Sequence, residues 1–260
     1  MKKQKHSPQS QGGGLRKAMA YPLSVLYNLA FGITLLIFHP IQWLALKLGG
    51  YHPHRISVAI LNWFLLQNTR ILGTRYRLHI DWSQIPLDRP YVVVSNHQSL
   101  YDIIPMIWYL RKLQPKFVSK KELGRGIPSV SFNLKYGGSA LIDRKNAGQA
   151  IEAIAGLGQR IEKNKGSAVI FPEGTRSKNG APKPFKTAGL ETLLKNAPSA
   201  WILPISVNES WKMQRYGAFP NGIGTHITFD IHPPISPEGP IQERIEAAEK
   251  AVLSKIKIND

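Results

Sequence analysis

From Ala18 to Leu46 the chain runs for 29 residues without an Asp, Glu, Lys or Arg. A bilayer core takes about 20 helical residues, so this run is long enough to cross one. His39-Pro40 interrupts it, and proline disfavours helix continuation. Ser24, Asn28 and Gly32 recur every fourth residue, a small polar stripe on one helix face suited to packing against another helix. A second apolar stretch, residues 56–69 (ISVAILNWFLLQNT), is too short for an ordinary span. Basic residues flank both: Arg16 and Lys17 before, Lys47 and Arg55 between, Arg70, Arg75 and Arg77 after. With positive charge on every flank, the charge bias does not favour translocation of the rest of the chain. The pattern predicts a helical hairpin lying in or dipping into one leaflet, its bases on anionic membrane lipids. One true span, or helices packed only against protein, are the alternatives. No small-residue cleavage site follows the run, so a cleaved signal peptide is not expected.

From Tyr76 onward short β-rich runs alternate with helical patterns. Strands are predicted over 76–80, 91–95, 116–119, 139–142, 168–171, 202–207 and 225–231. Helices are predicted near 102–113, 147–163, 187–196 and 241–257. Alternation of this kind predicts an α/β fold with a mostly parallel mixed sheet flanked by helices, preceded here by the two-helix membrane-associated motif. The expected organisation is a disordered basic arm over 1–20, the apolar two-helix motif over 21–70 and the α/β domain over 71–260.

Composition narrows this further. The 260 residues carry a net charge of +18, and 43% hydrophobic content excludes a mostly disordered chain and a multi-span membrane bundle. There is no cysteine, which excludes disulfides, thiolate zinc sites, iron–sulfur clusters and cysteine nucleophiles. Residues 1–80 hold ten bases and no acid, the first carboxylate being Asp81. The remaining +8 lies in 81–260. Such a balance points to an anionic partner, whether lipid, acidic protein or nucleic acid, or to plain solubility.

Four polar clusters follow predicted strands, at the ends where α/β proteins collect ligands. The first is Asn96-His97-Gln98-Ser99-Leu100-Tyr101-Asp102. Imidazole titrates near neutrality and can take a proton from an alcohol, and a carboxylate on its other nitrogen fixes the tautomer. His97 and Asp102 would diverge by about 140° on one ideal helix. They can meet only if His97 precedes the helix and Asp102 lies in its first turn. Ser99-x-x-Asp102 equally reads as a capping box, with Asp102 a mere cap. The second cluster is Phe171-Pro172-Glu173-Gly174-Thr175-Arg176-Ser177, where glycine and hydroxyls let backbone N–H groups approach an anion and Arg176 can grip a phosphate. Without context it is an ordinary turn. The third, Gly137 to Arg144, ends in an arginine that either faces the same pocket or pairs with Asp143 on a rim. The fourth offers Lys120, with Lys121 beside it. No G-x-S-x-G elbow is present, which makes a hydroxyl of the substrate a candidate for the attacking group. A third metal ligand to join His97 and Asp102 is not evident.

Asn96-His97-x4-Asp102, Gly138–Arg144, Phe171–Ser177 and Ile202-Leu203-Pro204-Ile205 together resemble the four ordered blocks of the glycerolipid acyltransferases, nearest to the lysophosphatidate acyltransferases. The resemblance covers about residues 70–215. It implies that His97 is the general base on the sn-2 hydroxyl of lysophosphatidate, with Asp102 orienting it. It implies that Arg176, Lys120 and Arg144 bind the acceptor's phosphate, that Glu173, Gly174 and Thr175 shape the glycerol site, and that Pro204 lines the acyl-chain side. It also implies acyl-CoA or acyl carrier protein as donor substrate, with no cofactor or metal. The expected setting is the cytoplasmic face of a bacterial inner membrane, and nucleic acid becomes the least expected partner. A sister acyltransferase acting on another lyso-lipid and a non-enzymatic basic membrane-binding protein are the alternatives. One departure stands out: in Phe185-Lys186-Thr187-Ala188-Gly189 the glycine comes one position later than in the family's Phe-Lys-x-Gly, which leaves the role of Lys186 open.

Overall fold

The three valines of Tyr91-Val-Val-Val-Ser95 leave no polar face for water. They form a central strand, β2 (Tyr91–Ser95), buried on both sides, as expected of a parallel sheet covered by helices. The computed structural model describes residues 12–257. The other strands are β1 (Arg75–His79), β3 (Pro115–Lys120), β4 (Ala140–Ile142), β5 (Ser167–Ile170), β6 (Trp201–Asn208) and β7 (His226–Ile231). They form one seven-stranded sheet in the order β1-β7-β6-β2-β5-β3-β4. Every pairing is parallel except β6 with β7. The mixed, mostly parallel sheet is therefore the one expected, with strand ends within about a residue of those read from the sequence.

The helices are α1 (Gly12–Gly49), α2 (Tyr51–Asn68), α3 (Ile103–Tyr109), α4 (Val130–Tyr136), α5 (Ala147–Asn164), α6 (Thr187–Asn196) and α7 (Ile241–Ser254). The alternating valines of β2 divide the core in two. Val92 and Val94 face Leu157 and Ile161 of α5, Leu190 and Leu193 of α6 and Ala248 and Val252 of α7. Val93 faces the other layer, where Met106 of α3 joins Tyr27, Leu35 and Phe38 of α1 and Leu61 and Leu65 of α2. Two helical expectations change. The helix read near 102–113 is a 3-10 turn, α3 and a second 3-10 turn in succession, and α4 carried no periodic signal over its seven residues.

The hairpin is formed by α1 and α2. One side of it packs into a core layer together with strands of the sheet and α3. The outer side leaves Leu26, Leu29, Ile33, Leu36 and Ile37 each more than half exposed. The arm expected over 1–20 is helical from Gly12, and its first eleven residues lie outside the described residues. The break expected at His39-Pro40 does not occur: α1 runs through both Pro22 and Pro40. Ser129 donates its backbone N–H to His39 Nδ1 (3.0 Å) and its hydroxyl to the Leu35 carbonyl (2.6 Å). These bonds clamp the turn preceding Pro40, where the missing proline N–H costs one helical bond. The Ser24–Asn28–Gly32 stripe does not pack on a helix. Asn28 is exposed, and the buried Ser24 hydroxyl instead accepts the N–H of Asn221, 2.8 Å away in the loop before β7.

Candidate active site

The chain leaves β2 at Ser95 and turns sharply. Asn96 anchors the turn by a two-way bond to β6, accepting from Val207 N (2.7 Å) and donating to Val207 O (2.8 Å). His97 follows, and the 3-10 turn Leu100–Asp102 begins at the cap residue Ser99. The Ser99 hydroxyl accepts the Tyr101 N–H (3.1 Å), and Asp102 Oδ2 accepts the Ser99 N–H (3.0 Å). The capping box is thus real. It does not compete with the dyad, because the same Asp102 Oδ2 lies 2.8 Å from His97 Nδ1. The cap geometry is what brings the two side chains together from five residues apart.

Asp102 is fully buried and richly bonded. Its Oδ2 also accepts Gln98 N–H (2.8 Å), and its Oδ1 accepts the hydroxyls of Ser99 (3.4 Å) and Ser210. Two backbone N–H groups donate to Oδ2, the oxygen that faces His97, so Asp102 accepts and the Nδ1 hydrogen donates. In the neutral imidazole this tautomer carries its lone pair on Nε2. The His97 side chain is 14% exposed, and Nε2 has no hydrogen-bond partner among the described residues.

The second cluster packs directly on the first. The Phe171 ring stacks on the His97 imidazole, centroids 4.0 Å apart and planes 16° from parallel. Glu173 Oε1 accepts the His97 N–H (3.0 Å), and the His97 carbonyl accepts the Ser177 N–H (2.7 Å). Burial pushes the Glu173 carboxyl up to about 7, against the pull of the His97 N–H and of Lys183. Lys183 donates to the Thr175 hydroxyl and the Arg176 carbonyl, both at 2.9 Å. Arg176 is exposed and reaches Gln214 Oε1 at 3.4 Å. Gly174 adopts φ 71°, and a Cβ there would stand 3.5 Å from Lys186 Cδ. The displaced glycine of the Phe185–Gly189 segment therefore does not remove Lys186 from the cluster: Lys186 lies over Gly174, its N–H bonded to Pro172 O (2.9 Å).

The sheet brings His97, Asp102, Glu173, Gly174, Thr175 and Arg176 into one connected group. Lys120 and Arg144 share only its edge. Lys120 ends β3, two strands from β2, and Arg144 follows β4, three strands away, or about 10 and 14 Å at ordinary strand spacing. Both are exposed, and no hydrogen bond or ion pair among the described residues joins either to the His97 group. Pro204 pairs with Val94 in the neighbouring strand. Sequence reasoning missed Phe171 as a stacking partner, Lys183, Gln98 and Ser210. Phe171 and Lys183 lie in or near a segment already singled out. Ser210 comes from the loop after β6 and gives no local signal.

Known proteins resemble this chain in sequence and in fold. The family model described as Acyltransferase matches residues 77–208, about half of the chain, from within β1 to the end of β6. Over 141 residues the chain is 31% identical to the human 1-acyl-sn-glycerol-3-phosphate acyltransferase beta, covering 54% of this chain and 49% of that protein. Over 171 residues it is 31% identical to the 1-acyl-sn-glycerol-3-phosphate acyltransferase of Salmonella typhimurium, covering 64% and 66%. The chain thus spans about half to two thirds of the length of these curated relatives. Its fold resembles the crystal structure of the 1-acyl-sn-glycerophosphate (LPA) acyltransferase PlsC from Thermotoga maritima, with a TM-score of 0.70 at 21% identity, over 95% of this chain and 99% of that one. By the family match over residues 77–208, the chain belongs to the acyltransferase family.

Proposed function

We propose that this protein transfers a fatty acyl group from an acyl thioester, acyl-CoA or acyl carrier protein, to the sn-2 hydroxyl of lysophosphatidate, forming phosphatidate. The single observation that carries the reading is the His97 Nδ1–Asp102 Oδ2 bond, which suits a neutral imidazole presenting its Nε2 lone pair at a strand end. In this reading Nε2 takes the hydroxyl proton as the substrate oxygen attacks the thioester carbonyl. A tetrahedral intermediate forms, and its collapse breaks the carbon–sulfur bond. The thiolate leaves and receives the proton from the imidazolium, which the Asp102 carboxylate stabilises until then. No acyl-enzyme is required.

The acceptor's phosphate has cations waiting beside this base. Arg176, Lys183 and Lys186 stand on the Phe171–Lys186 segment, and arginine suits two-pronged phosphate binding. Lys120 and Arg144, further along the same sheet edge, suit the more distant phosphates of a large donor or the outer side of the acceptor.

Membrane association follows from the outer face of α1. Among the described residues one helix, α1 over 14–49, is long and apolar enough to cross a bilayer. Its contacts with the α/β domain nevertheless extend from Arg16, bonded to Ile223 O, to His39, bonded to Ser129 N. That is about 35 Å of helix at 1.5 Å per residue, more than the roughly 30 Å of a hydrocarbon core. A helix held alongside its domain over this length supports lying in the interface with the exposed leucines in the lipid. The deciding experiment is phosphatidate formation by purified protein from lysophosphatidate and a labelled thioester. Product from lysophosphatidate supports the reading, and turnover confined to other lyso-lipids overturns it.

A further inference from the structure

The amino ends of the parallel strands form the opposite edge of the sheet from His97, and that edge also has a cavity. Its volume is about 640 Å³. Gln114 and Lys116 of the β3 start, Gly166 and Ser167 of the β5 start, Lys135 to Gly138 at the end of α4, Arg160 of α5 and Tyr51 of α2 line it. At about 3.3 Å per residue along β2, it lies about 16 Å from the His97 turn.

Its chemistry is one-sided. Lys116, Lys135 and Arg160 all border it, and none of them forms an ion pair with a carboxylate among the described residues. Arg55 adds a fourth positive charge close enough to act on both Lys116 and Tyr51. The Lys116 ammonium stands 5.0 Å from the Tyr51 ring centroid. Gathering cations without an anion is unfavourable. The consequence is visible at Lys116, where burial first, and then the charges of Arg55 and Arg160, pull the ammonium down to about 8. Two further details fit a ligand. Ser167 is fully buried, and its Oγ has no hydrogen-bond partner among the described residues. Gly138, from the Gly137–Arg144 motif whose glycines the His97 site does not use, has φ 91°. A Cβ there would lie 2.7 Å from Arg160 Nη1, so the absent side chain is what lets the guanidinium close over the cavity.

We infer that this cavity is a second phosphate-binding site, built by Lys116, Lys135, Arg160 and Ser167 and separate from the His97 centre. A guanidinium fork, two ammonium groups and a hydroxyl donor match the three-oxygen face of a phosphate. The volume accommodates the group to which the phosphate is attached. The phosphate comes either from a lipid head group, since the hairpin turn at Gly50–Tyr51 borders the cavity, or from a soluble phosphorylated compound. The inference stands on this geometry alone and does not depend on the proposed acyl transfer.

The test is binding by the full chain in non-ionic detergent, without any activity readout. One arm titrates inorganic pyrophosphate calorimetrically. The other measures flotation with phosphatidylcholine vesicles with and without phosphatidylglycerol. Three proteins are compared: wild type, Lys135→Gln/Arg160→Gln, and a charge-matched control, Lys195→Gln/Lys250→Gln, on the exposed surfaces of α6 and α7. Losing two charged hydrogen bonds predicts at least a tenfold weaker affinity for the cavity variant, with the control equal to wild type. A response in the pyrophosphate arm assigns a soluble phosphate. A response only to phosphatidylglycerol assigns a head group. Equal binding by wild type and cavity variant in both arms, or an equal loss in the control, overturns the site. Should the double variant unfold at lower temperature than wild type, Lys135→Gln alone, at an exposed helix end, is judged by the same comparison.

Discussion

Glu173 accepts the backbone N–H of His97 through Oε1, while its Oε2 is buried without a hydrogen-bond partner among the described residues. The half-satisfied carboxyl is held up to about 7 by burial. Its protonated form is therefore favoured by folding. That contribution is complete below the unfolded value near 4.5 and is lost as pH rises from there through about 7. Above that pH the folded protein carries a buried charge at the root of the His97 turn.

Replacing this group by a neutral isostere removes the pH dependence. Glu173→Gln keeps an acceptor for His97 N–H. Relative to wild type it should gain about 1–3 kcal/mol of stability on going from pH 5 to pH 8, allowing for solvent screening at the site. Thermal unfolding at the two pH values measures this. A gap that does not change with pH would show that the carboxyl is not the titrating group.

His97→Ala should fold, since the turn is also held by Asn96, Ser99 and Asp102, and should lose about 10²–10⁴-fold in acyl transfer if general-base catalysis dominates. Asp102→Asn should cost a comparable factor in kcat, because a neutral amide no longer stabilises the imidazolium formed on His97. Near-wild-type turnover by either variant would remove the dyad from the mechanism.

Ser210→Ala tests a contact that only the tertiary structure reveals. Its hydroxyl donates to the fully buried Asp102, and its loss leaves a carboxylate oxygen underbonded. The expected cost is about 1–3 kcal/mol in stability. If Ser210 also orients the dyad, kcat falls while KM stays fixed. A fall in KM-linked affinity alone would point to substrate contact.

Arg176→Ala should act on acceptor binding. Losing a charged hydrogen bond raises KM for lysophosphatidate by about 10–100-fold with kcat less affected. An unchanged KM would move the phosphate to Lys183 and Lys186, or to the Lys120 and Arg144 side of the edge.

The outer face of α1 offers a further test. Leu26, Leu29 and Ile33 are exposed, so their joint replacement by serine should leave the fold intact by circular dichroism. Each buried aliphatic side chain is worth about 1.5–3 kcal/mol, so vesicle partitioning should fall by about 10²-fold or more. Undiminished partitioning would place membrane attachment elsewhere.

Much of this protein is written locally. Three valines in a row determine a strand buried on both faces. The Ser99-x-x-Asp102 spacing determines a capped turn whatever lies around it. The charge-free run with bases on every flank determines an apolar hairpin. These are short-range effects of propensity, period and capping, so one sequence suffices to read them. Tertiary structure decided what each local feature touches. The helix continues through Pro40, and Ser129, ninety residues from His39, bonds the turn before it. Asp102, placed by its own cap against His97, has its second oxygen closed over by Ser210, 108 residues away. Lys120 and Arg144 are held two and three strands from His97 because β5 inserts next to β2. Packing and strand order act between residues far apart in the chain, and a pattern with a period of a few residues has no means of recording them.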